Sequence, residues 1–374
     1  MPRLRFPEFQ GKWETKEIGQ IMKIGSGKDY KHLGEGDIPV FGTGGYMTSV
    51  NDYLMNGETI CIGRKGTINK PFYHCGKFWT VDTLFYTHSF KNTIPRFALY
   101  IFEKINWLQY NEASGVPSLS KSTIEQIEIS IPFLPEQKKI ASLLSLIDER
   151  IECQRKIIEG LQSYKSAVSK KIFSQELRFK NQDEKDFPDW EMYKLGQLLI
   201  EANEKTTRTN QYRILSSTAK GLFNQDEYFT RDIASKDNTG YKILKKGQLV
   251  FSPQNLWLGN INVNMNFEIG IVSPSYKIFS FNETYTIPTF CQYILLTPKM
   301  MYEYEQSSVQ GASVVRRNLD MEKFYQIEVL MPALEEQIKI ANFLSCIDQK
   351  VNLEIALLEQ LKSQKQYLLQ QLFI

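Results

Sequence analysis

Residues Ile131–Phe173 read IPFLPEQKKIASLLSLIDERIECQRKIIEGLQSYKSAVSKKIF, and residues Met331–Phe373 read MPALEEQIKIANFLSCIDQKVNLEIALLEQLKSQKQYLLQQLF. The two stretches align without gaps at an offset of 200 residues, with 16 identities in 43 positions. The identical positions include Pro132/Pro332, Glu136/Glu336, Gln137/Gln337, Ala141/Ala341, Ile147/Ile347, Asp148/Asp348, Leu161/Leu361 and Lys165/Lys365. Self-similarity at a fixed spacing indicates a chain built from two copies of one structural unit.

The starts of the two halves also resemble each other. The matched pairs are Phe6-Pro7 with Phe187-Pro188, and Trp13-Glu14 with Trp190-Glu191. Between the matched starts and ends, the halves diverge in sequence and in length. We therefore expect two halves with a common framework, whose middle regions differ in sequence and length.

Within each copy the apolar residues recur at alternating steps of four and three, which is the pattern of a coiled-coil seam. The two seams are Ile140, Leu144, Ile147, Ile151, Ile158 and Leu161, and Ile340, Leu344, Ile347, Val351, Leu358 and Leu361. Pro132, Pro135 and the acidic Glu136 mark the first helix start, because proline suits the first turn and a carboxylate suits the positive end of the helix dipole. A helix from 140 to 172 would be roughly 50 Å long.

A long helix with an apolar stripe needs a partner. Polar residues interrupt both seams at matching positions, namely Gln154 and Lys165 in the first copy and Glu354 and Lys365 in the second. Such interruptions help to fix the register of a helix pair. We therefore expect the copies to pair antiparallel within one chain, with the variable regions at opposite ends. A homodimeric coiled coil or two independent bundle helices are the alternatives.

The variable regions show short β-type runs separated by turn formers, and helical stretches near 95–110 and 288–304. The runs are Thr59–Ile62, Leu84–Thr87, Gln248–Phe251 and Tyr276–Phe279. The predicted fold class is α+β, with two small α+β domains, two long antiparallel coiled-coil helices between them, and a pseudo-two-fold internal repeat. The predicted boundaries are 1–134 for the first domain, 135–178 for the first long helix, 179–334 for the second domain and 335–374 for the second long helix.

The composition is that of a globular protein, with 42% hydrophobic and 23% charged residues. There is no apolar leader and no run of about 18 apolar residues, so neither secretion nor a membrane span is expected. The five cysteines are scattered and form no C-x-x-C pair, which favours the reducing cytoplasm. A net charge of +3 permits nucleic-acid binding but does not require it.

The motifs of common catalytic sites are incomplete. The stretch 25–28 (GSGK) lacks the first glycine and the Mg²⁺-binding hydroxyl of a phosphate-binding loop. The stretch 252–255 (SPQN) lacks the second proline and the aromatic residue with which adenine methyltransferases hold a flipped base. The three histidines form no zinc pattern. We therefore predict neither a catalytic site nor a metal site.

Polar, basic and aromatic residues collect in the predicted loops of both variable regions. Arg and Lys can bind phosphate or guanine, whereas Asn and Gln can pair with adenine. For any single residue, a solvated surface charge is the alternative. The candidate DNA-binding residues are Lys28, Lys31, Arg64, Lys65, Lys70, Lys205, Arg208, Arg213, Lys220, Gln254, Asn255, Trp257, Arg316 and Arg317.

The start of each predicted helix carries the most specific motif of the chain. The motifs are Ile131–Gln137 (IPFLPEQ) followed by Ile147-Asp148, and Met331–Gln337 (MPALEEQ) followed by Ile347-Asp348. These motifs, in this order of segments, resemble the specificity (S) subunits of Type I restriction-modification enzymes over nearly the whole chain. Glu335 departs slightly, because the first copy has Pro135 there. The resemblance implies two domains that each read half of a bipartite, asymmetric DNA target, and helices that span an unread spacer.

The resemblance also implies the partners. Two methyltransferase subunits would carry S-adenosylmethionine and methylate adenine N6, and restriction subunits would add ATP- and Mg²⁺-dependent translocation and cleavage. This chain would be a non-catalytic, cytoplasmic DNA-binding subunit that binds no cofactor itself. The alternatives are a coiled-coil adaptor with two protein-binding end domains, and a self-sufficient methyltransferase.

Overall fold

The computed structural model describes residues 2–228, 237–310 and 317–374. They form two compact units, one made of Met1–Ile158 with Leu353–Ile374 and the other of Glu159–Asn352. Each unit contains an α+β domain, the N-terminal part of one long helix and the C-terminal part of the other. The α+β fold class is confirmed. The compact units do not follow the four segments predicted in chain order, and that division stays a prediction.

The first unit contains the N-terminal domain. Its strands are β1 (Glu14–Glu17), β2 (Lys23–Ser26), β3 (Ile38–Gly42), β4 (Gly45–Val50), β5 (Met55–Gly63), β6 (Phe72–Thr80), β7 (Leu84–His88) and β8 (Glu128–Ile131). Its helices are α1 (Ile18–Ile21), α2 (Pro95–Lys104), a 3-10 turn at Trp107–Tyr110, α3 (Lys121–Glu125) and the start of α4 (Leu134–Phe173). One sheet has the order β2-β7-β5-β6-β3-β4, and β1 pairs with β8.

The second unit contains the other domain. Its strands are β9 (Glu191–Lys194), β10 (Leu199–Ala202), β11 (Leu215–Thr218), β12 (Gly221–Asn224), β13 (Lys242–Lys245), β14 (Leu249–Phe251), β15 (Ile261–Val263), β16 (Ile269–Val272), β17 (Lys277–Phe281), β18 (Ser308–Gln310), β19 (Arg317–Leu319) and β20 (Glu328–Met331). Its helices are α5 (Leu195–Leu198), α6 (Gln225–Tyr228), a 3-10 turn at Leu256–Leu258, α7 (Pro288–Ile294), α8 (Pro298–Gln306), α9 (Met321–Gln326) and the start of α10 (Leu334–Leu372). One sheet has the order β10-β17-β14-β15, and the remaining strands form the pairs β11-β12, β13-β16, β18-β19 and β9-β20.

The two units share one antiparallel four-strand arrangement. The order β2-β7-β5-β6 in the first unit corresponds to β10-β17-β14-β15 in the second. The surrounding elements also recur in the same chain order: a one-turn helix (α1, α5), a helix opened by proline (α2, α7), and a short helix (α3, α9) before the last strand (β8, β20). The internal repeat therefore continues through the domains, where the two sequences have diverged.

The long helices begin earlier than the heptad pattern alone indicated. Helix α4 has 40 residues and α10 has 39, so each is about 60 Å long. Pro135 lies in the first turn of α4, where its missing N–H is not needed. Leu161 is half-buried in the core of the second unit. The other predicted seam residues are buried: Ile140, Leu144, Ile147, Ile151, Ile158, Ile340, Leu344, Ile347, Val351, Leu358 and Leu361.

In the first unit the start of α4 packs against the end of α10. Lys365 Nζ lies 2.7 Å from Asp148 Oδ1 and 2.7 Å from Glu103 Oε2. Farther along, Gln154 Nε2 donates to the Glu354 carbonyl oxygen at 3.1 Å. Because the residue numbers rise along one helix as they fall along the other, the helices are antiparallel in this unit.

The second unit repeats this pairing with the roles of the helices exchanged. Lys165 near the end of α4 forms an ion pair with Asp348 of α10. Val168 and Ile172 of α4 belong to the same buried cluster as Ile340 of α10. Each repeated lysine therefore meets the repeated aspartate of the other copy, which ties the register of each helix pair to charge as well as to apolar packing.

A buried carboxylate joins each helix start to the beginning of its domain. Arg5 Nε and Nη2 donate to Glu136 at 2.8 and 2.7 Å, and Trp13 Nε1 donates to the same carboxylate at 3.2 Å. The equivalent residues of the second unit are Arg178, Trp190 and Glu336, with distances of 2.9, 2.8 and 3.2 Å. Glu136 is thus more than the dipole partner that its position predicted, because a bidentate arginine binds it across 131 residues of sequence.

The neighbouring glutamine fixes another helix. Gln137 Oε1 accepts from the Ile94 N–H at 2.9 Å, and its Nε2 donates to the Pro132 carbonyl at 2.8 Å. Gln337 Oε1 accepts from the Ile287 N–H at 3.2 Å in the same way. These amides satisfy the backbone at the residues that precede α2 and α7, where an unpaired N–H would be costly.

The end of α10 completes the core of the first unit. Phe373 is 5% exposed, and its ring centroid lies 5.3 Å from that of Phe97 and 6.3 Å from that of Trp13. Nearby, the Leu4 N–H donates to the Gln371 carbonyl at 2.9 Å. The N-terminal domain therefore depends on the last residues of the chain. In the described ranges, no helix is long and apolar enough to cross a membrane.

Candidate nucleic-acid interface

One loop occupies the same place in both units, directly after the middle strand β5 or β14. In the first unit this loop carries Arg64 and Lys65, and in the second it carries Gln254. The Leu119 N–H, before α3, donates to the Arg64 carbonyl at 2.9 Å. The Arg317 N–H, before α9, donates to the Gln254 carbonyl at 3.4 Å. The two domains thus place different side chains on an equivalent pair of segments.

In the first unit these segments line a groove of about 340 Å³. Arg64 and Lys65 line it together with Lys121, the first residue of α3. Arg64 Nη1 donates to the Asp82 carbonyl at 3.4 Å, and its guanidinium lies 5.8 Å from the Phe85 ring centroid. Three cations around one groove attract a polyanion, and the other N–H groups of the exposed Arg64 can bind phosphate or guanine.

The other candidates of the first unit are Lys28, Lys31 and Lys70, and all three are exposed. The Lys28 N–H donates to the Thr80 carbonyl at 2.8 Å, and the Arg64 N–H donates to the Thr83 carbonyl at 2.8 Å. Both residues therefore flank the turn between β6 and β7, which brings Lys28 to the vicinity of the groove. For the other two lysines, no hydrogen bond or ion pair within the described ranges links them to it.

In the second unit four candidates come together. The Arg317 guanidinium lies 4.4 Å from the Trp257 ring centroid, and its Nη1 lies 2.9 Å from Glu305 Oε1. Arg317 Nε and Trp257 Nε1 are buried without a hydrogen-bond partner among the residues that the structure describes. Gln254 is exposed and Asn255 is half-buried on the same loop. Because Glu305 partly neutralises Arg317, the accessible amide of Gln254 is the group of this cluster best suited to a base edge.

The remaining candidates of the second unit are spread over other loops. Lys220 lies in the turn between β11 and β12, and Asn262 of β15 donates to the Thr218 carbonyl of the same hairpin at 2.9 Å. Arg316 lies outside the described residues. Lys205, Arg208 and Arg213 are exposed, and no hydrogen bond or ion pair in the described part of the chain joins them to the Trp257 cluster.

Two residues that line the first groove, Lys121 and Glu112, were not predicted from the sequence. The signal for Lys121 was present, because the offset of 200 residues continues upstream through Gln126/Gln326 to Leu119/Leu319. Extending the repeat to that point would have placed this segment opposite the one that carries Arg317. Nothing in the sequence marked Glu112, because only the fold brings it to the groove.

A family model described as the Type I restriction modification DNA specificity domain matches residues 10–163. The MjaIX specificity subunit of Methanocaldococcus jannaschii, a Type I restriction enzyme subunit, is 25% identical over 318 residues, which cover 68% of this chain and 72% of that protein. The MjaVIII specificity subunit of the same organism is 27% identical over 232 residues. That alignment covers 53% of this chain and about half, 51%, of the relative.

Solved structures match over the full length. The S subunit of a Type I restriction-modification system from M. genitalium gives a TM-score of 0.62 at 18% identity, covering 100% of this chain and 99% of that one. A chain from a structural study of complex assembly and conformational transition of the type I R-M system gives 0.55 at 12% identity, covering 98% of each chain. At these identities the likeness concerns the fold, including that of the second unit.

Proposed function

We propose that this chain, whose residues 10–163 match the model of the Type I restriction modification DNA specificity domain, is the subunit that recognises a bipartite and asymmetric DNA target. One observation carries the proposal: two units that share a four-strand arrangement present different polar side chains on equivalent loops. Arg64 and Lys65 on one loop and Gln254 on the other would favour different base edges. A target with two unlike halves follows from this difference.

The finer features of the function come from the family. Two methyltransferase subunits would supply S-adenosylmethionine and transfer methyl groups to adenine, and restriction subunits would supply ATP- and Mg²⁺-dependent cleavage. The chain itself would bind no cofactor, catalyse no reaction and work in the cytoplasm. Purified chain alone should transfer no label from S-adenosylmethionine, and transfer would revive the methyltransferase alternative. The adaptor alternative is not favoured, because the family match is to a DNA specificity domain.

The direct test is to map methylated adenines in the host genome with the gene for this chain intact and deleted. We expect one bipartite motif, with two specified parts around an unspecified spacer, to lose its methylation when the gene is deleted. An unchanged methylation pattern would remove the proposed function.

Arg64→Ala should weaken binding to the target duplex by about 1 to 3 kcal/mol if the side chain makes a bidentate base contact. The loss should relax the preference at one position of one half-site and leave the salt dependence nearly unchanged. Lys65→Ala, a phosphate contact in this proposal, should weaken binding to all sequences and reduce the salt slope. Lys12→Ala, an exposed cation outside the groove, is the matched control. Unchanged affinity of Arg64→Ala at moderate salt would reject the role of Arg64.

We expect the long helices to set the distance between the two DNA-recognition domains. One heptad inserted into α4 between Leu144 and Leu161, with a matching heptad between Leu344 and Leu361, adds about 10 Å of helix, or about three base pairs of DNA. We expect selection from a duplex library to return a changed spacer with the same half-site bases, or no binding at all. A heptad in α4 alone should disrupt the helix pair. If the double insertion still selects the original spacer, the long helices do not set the distance between the two half-sites.

A further inference from the structure

The basic groove of the first unit contains one carboxylate. Glu112 is exposed and lines the groove with Arg64, Lys65 and Lys121. Nevertheless, no ion pair joins Glu112 to a cation within the described residues. A surface that only bound phosphates would gain nothing from an unneutralised negative charge at this place, because like charges repel.

The carboxylate is held in one orientation. Glu112 Oε1 accepts a hydrogen bond from the Thr123 hydroxyl and another from the Ser120 N–H at 3.3 Å. These bonds, that from Thr123 first, lower the pKa of Glu112, so the group is ionised at neutral pH. The backbone at Glu112 is held in place as well, since its N–H donates to the Ser118 carbonyl at 3.0 Å. The second oxygen, Oε2, has no hydrogen-bond partner among the described residues, so one acceptor remains available at a fixed place.

Only some groups of a DNA duplex can meet such an acceptor. Phosphates repel a carboxylate because both are negatively charged. The carbonyl-oxygen and N7 edges of the bases offer it no hydrogen-bond donor. In the major groove the donors are the amino groups of cytosine (N4) and adenine (N6), and carboxylates characteristically accept from cytosine N4. Arg64, on the same groove, has the complementary preference for guanine O6 and N7. A G·C pair offers both partners at adjacent edges.

The geometry points to Glu112 as a specificity-determining residue that accepts a hydrogen bond from cytosine N4 of a G·C pair whose guanine is read by Arg64. This inference rests on the proposed function, since it assigns one base pair of the half-site read by the first domain. Lys65 and Lys121 bind the flanking phosphates. Glu112 adds selectivity rather than affinity, because its charge penalises every base pair that offers no amino group at that place.

The test uses this chain assembled with its methyltransferase subunits, and the target found by methylation mapping. Each base pair of both half-sites is replaced in turn, and affinities are compared for wild type, Glu112→Gln and Arg64→Ala. The proposal expects wild type to prefer one G·C pair by about tenfold or more. Glu112→Gln should lose most of that preference, and Arg64→Ala should relax the same pair. Glu128→Gln, an exposed carboxylate on β8, should change no preference.

The outcomes separate recognition from other roles. If Glu112→Gln binds every duplex more tightly by one common factor, the carboxylate only repels phosphate and the proposal is overturned. If Glu112→Gln and Arg64→Ala relax different pairs, the shared G·C pair is wrong. Thr123→Val removes the hydroxyl that binds Glu112 and also contacts Ser120 Oγ, and it keeps the charge of Glu112. A loss of preference equal to that of Glu112→Gln, with a lowered melting temperature, would assign Glu112 a structural role. The bipartite motif itself is established independently by the mapping, so failure here leaves the proposed function intact.

Discussion

Glu336→Ala is expected to lower the free energy of unfolding of the second unit by about 3 kcal/mol. The Glu336 side chain is fully buried, whereas that of its partner Arg178 is 23% exposed. Alanine would leave the guanidinium without its counter-charge and the Trp190 N–H without an acceptor, and would open a cavity at the helix start. The partial exposure of Arg178 puts the estimate at the lower end of the range for broken buried pairs.

Urea unfolding followed by tryptophan fluorescence and by hydrogen exchange measures this loss. Glu335→Ala is the matched control, because this exposed neighbour in the same first turn contributes only through the helix dipole, about 0.3 to 1 kcal/mol. The equivalent Glu136→Ala should destabilise the first unit instead. If Glu336→Ala and Glu335→Ala cost the same, the buried network does not hold the helix to the domain.

Phe373→Ala is expected to destabilise the N-terminal domain by about 3 to 5 kcal/mol, although the residue is the last but one of the chain. Its ring packs on Phe97 and Trp13, so truncation leaves a cavity between α10 and the domain core. Hydrogen exchange should show lost protection in residues 13–102, with residues 190–330 unchanged. If the loss of hydrogen-exchange protection is confined to the last turns of α10, the substitution only frays the helix end and does not destabilise the domain core.

Two other variants calibrate this prediction. Phe173→Ala, at the equivalent position, should act on the second unit, where Phe173 lies 6.0 Å from Phe290. Its effect should be smaller, because Phe173 is only half-buried. Tyr367→Ala, whose side chain is 55% exposed, should change stability by less than about 0.5 kcal/mol.

The sequence predicted the helices well because their signal is local and periodic. An apolar residue at every third or fourth position identifies a buried face without knowledge of the partner. The matched polar positions indicated a fixed register, and Lys165 and Lys365 do form ion pairs across the helices. Which residues they meet, Asp348 and Asp148, follows from the antiparallel direction, which periodicity alone does not fix.

The site was less predictable, because its members are distant in the sequence. Arg64 and Lys65 attracted attention as adjacent cations, but Glu112 reaches the same groove only through the pairing of its segment with the loop after β5. Similarly, Glu136 was interpreted as a dipole partner because its arginine lies 131 residues away. Exposed charges such as Lys31 and Lys70 have the same residue type as the lysines that line the groove, so composition could not separate them.

We propose that two unlike domains in one chain recognise two separated parts of one DNA target. Hydroxyl-radical footprinting of the assembled methyltransferase complex on its target duplex tests it most directly. We expect two protected patches with an accessible gap between them, and weaker protection in only one patch when Arg64 is replaced. A single continuous patch, or protection that is independent of sequence, would contradict the account.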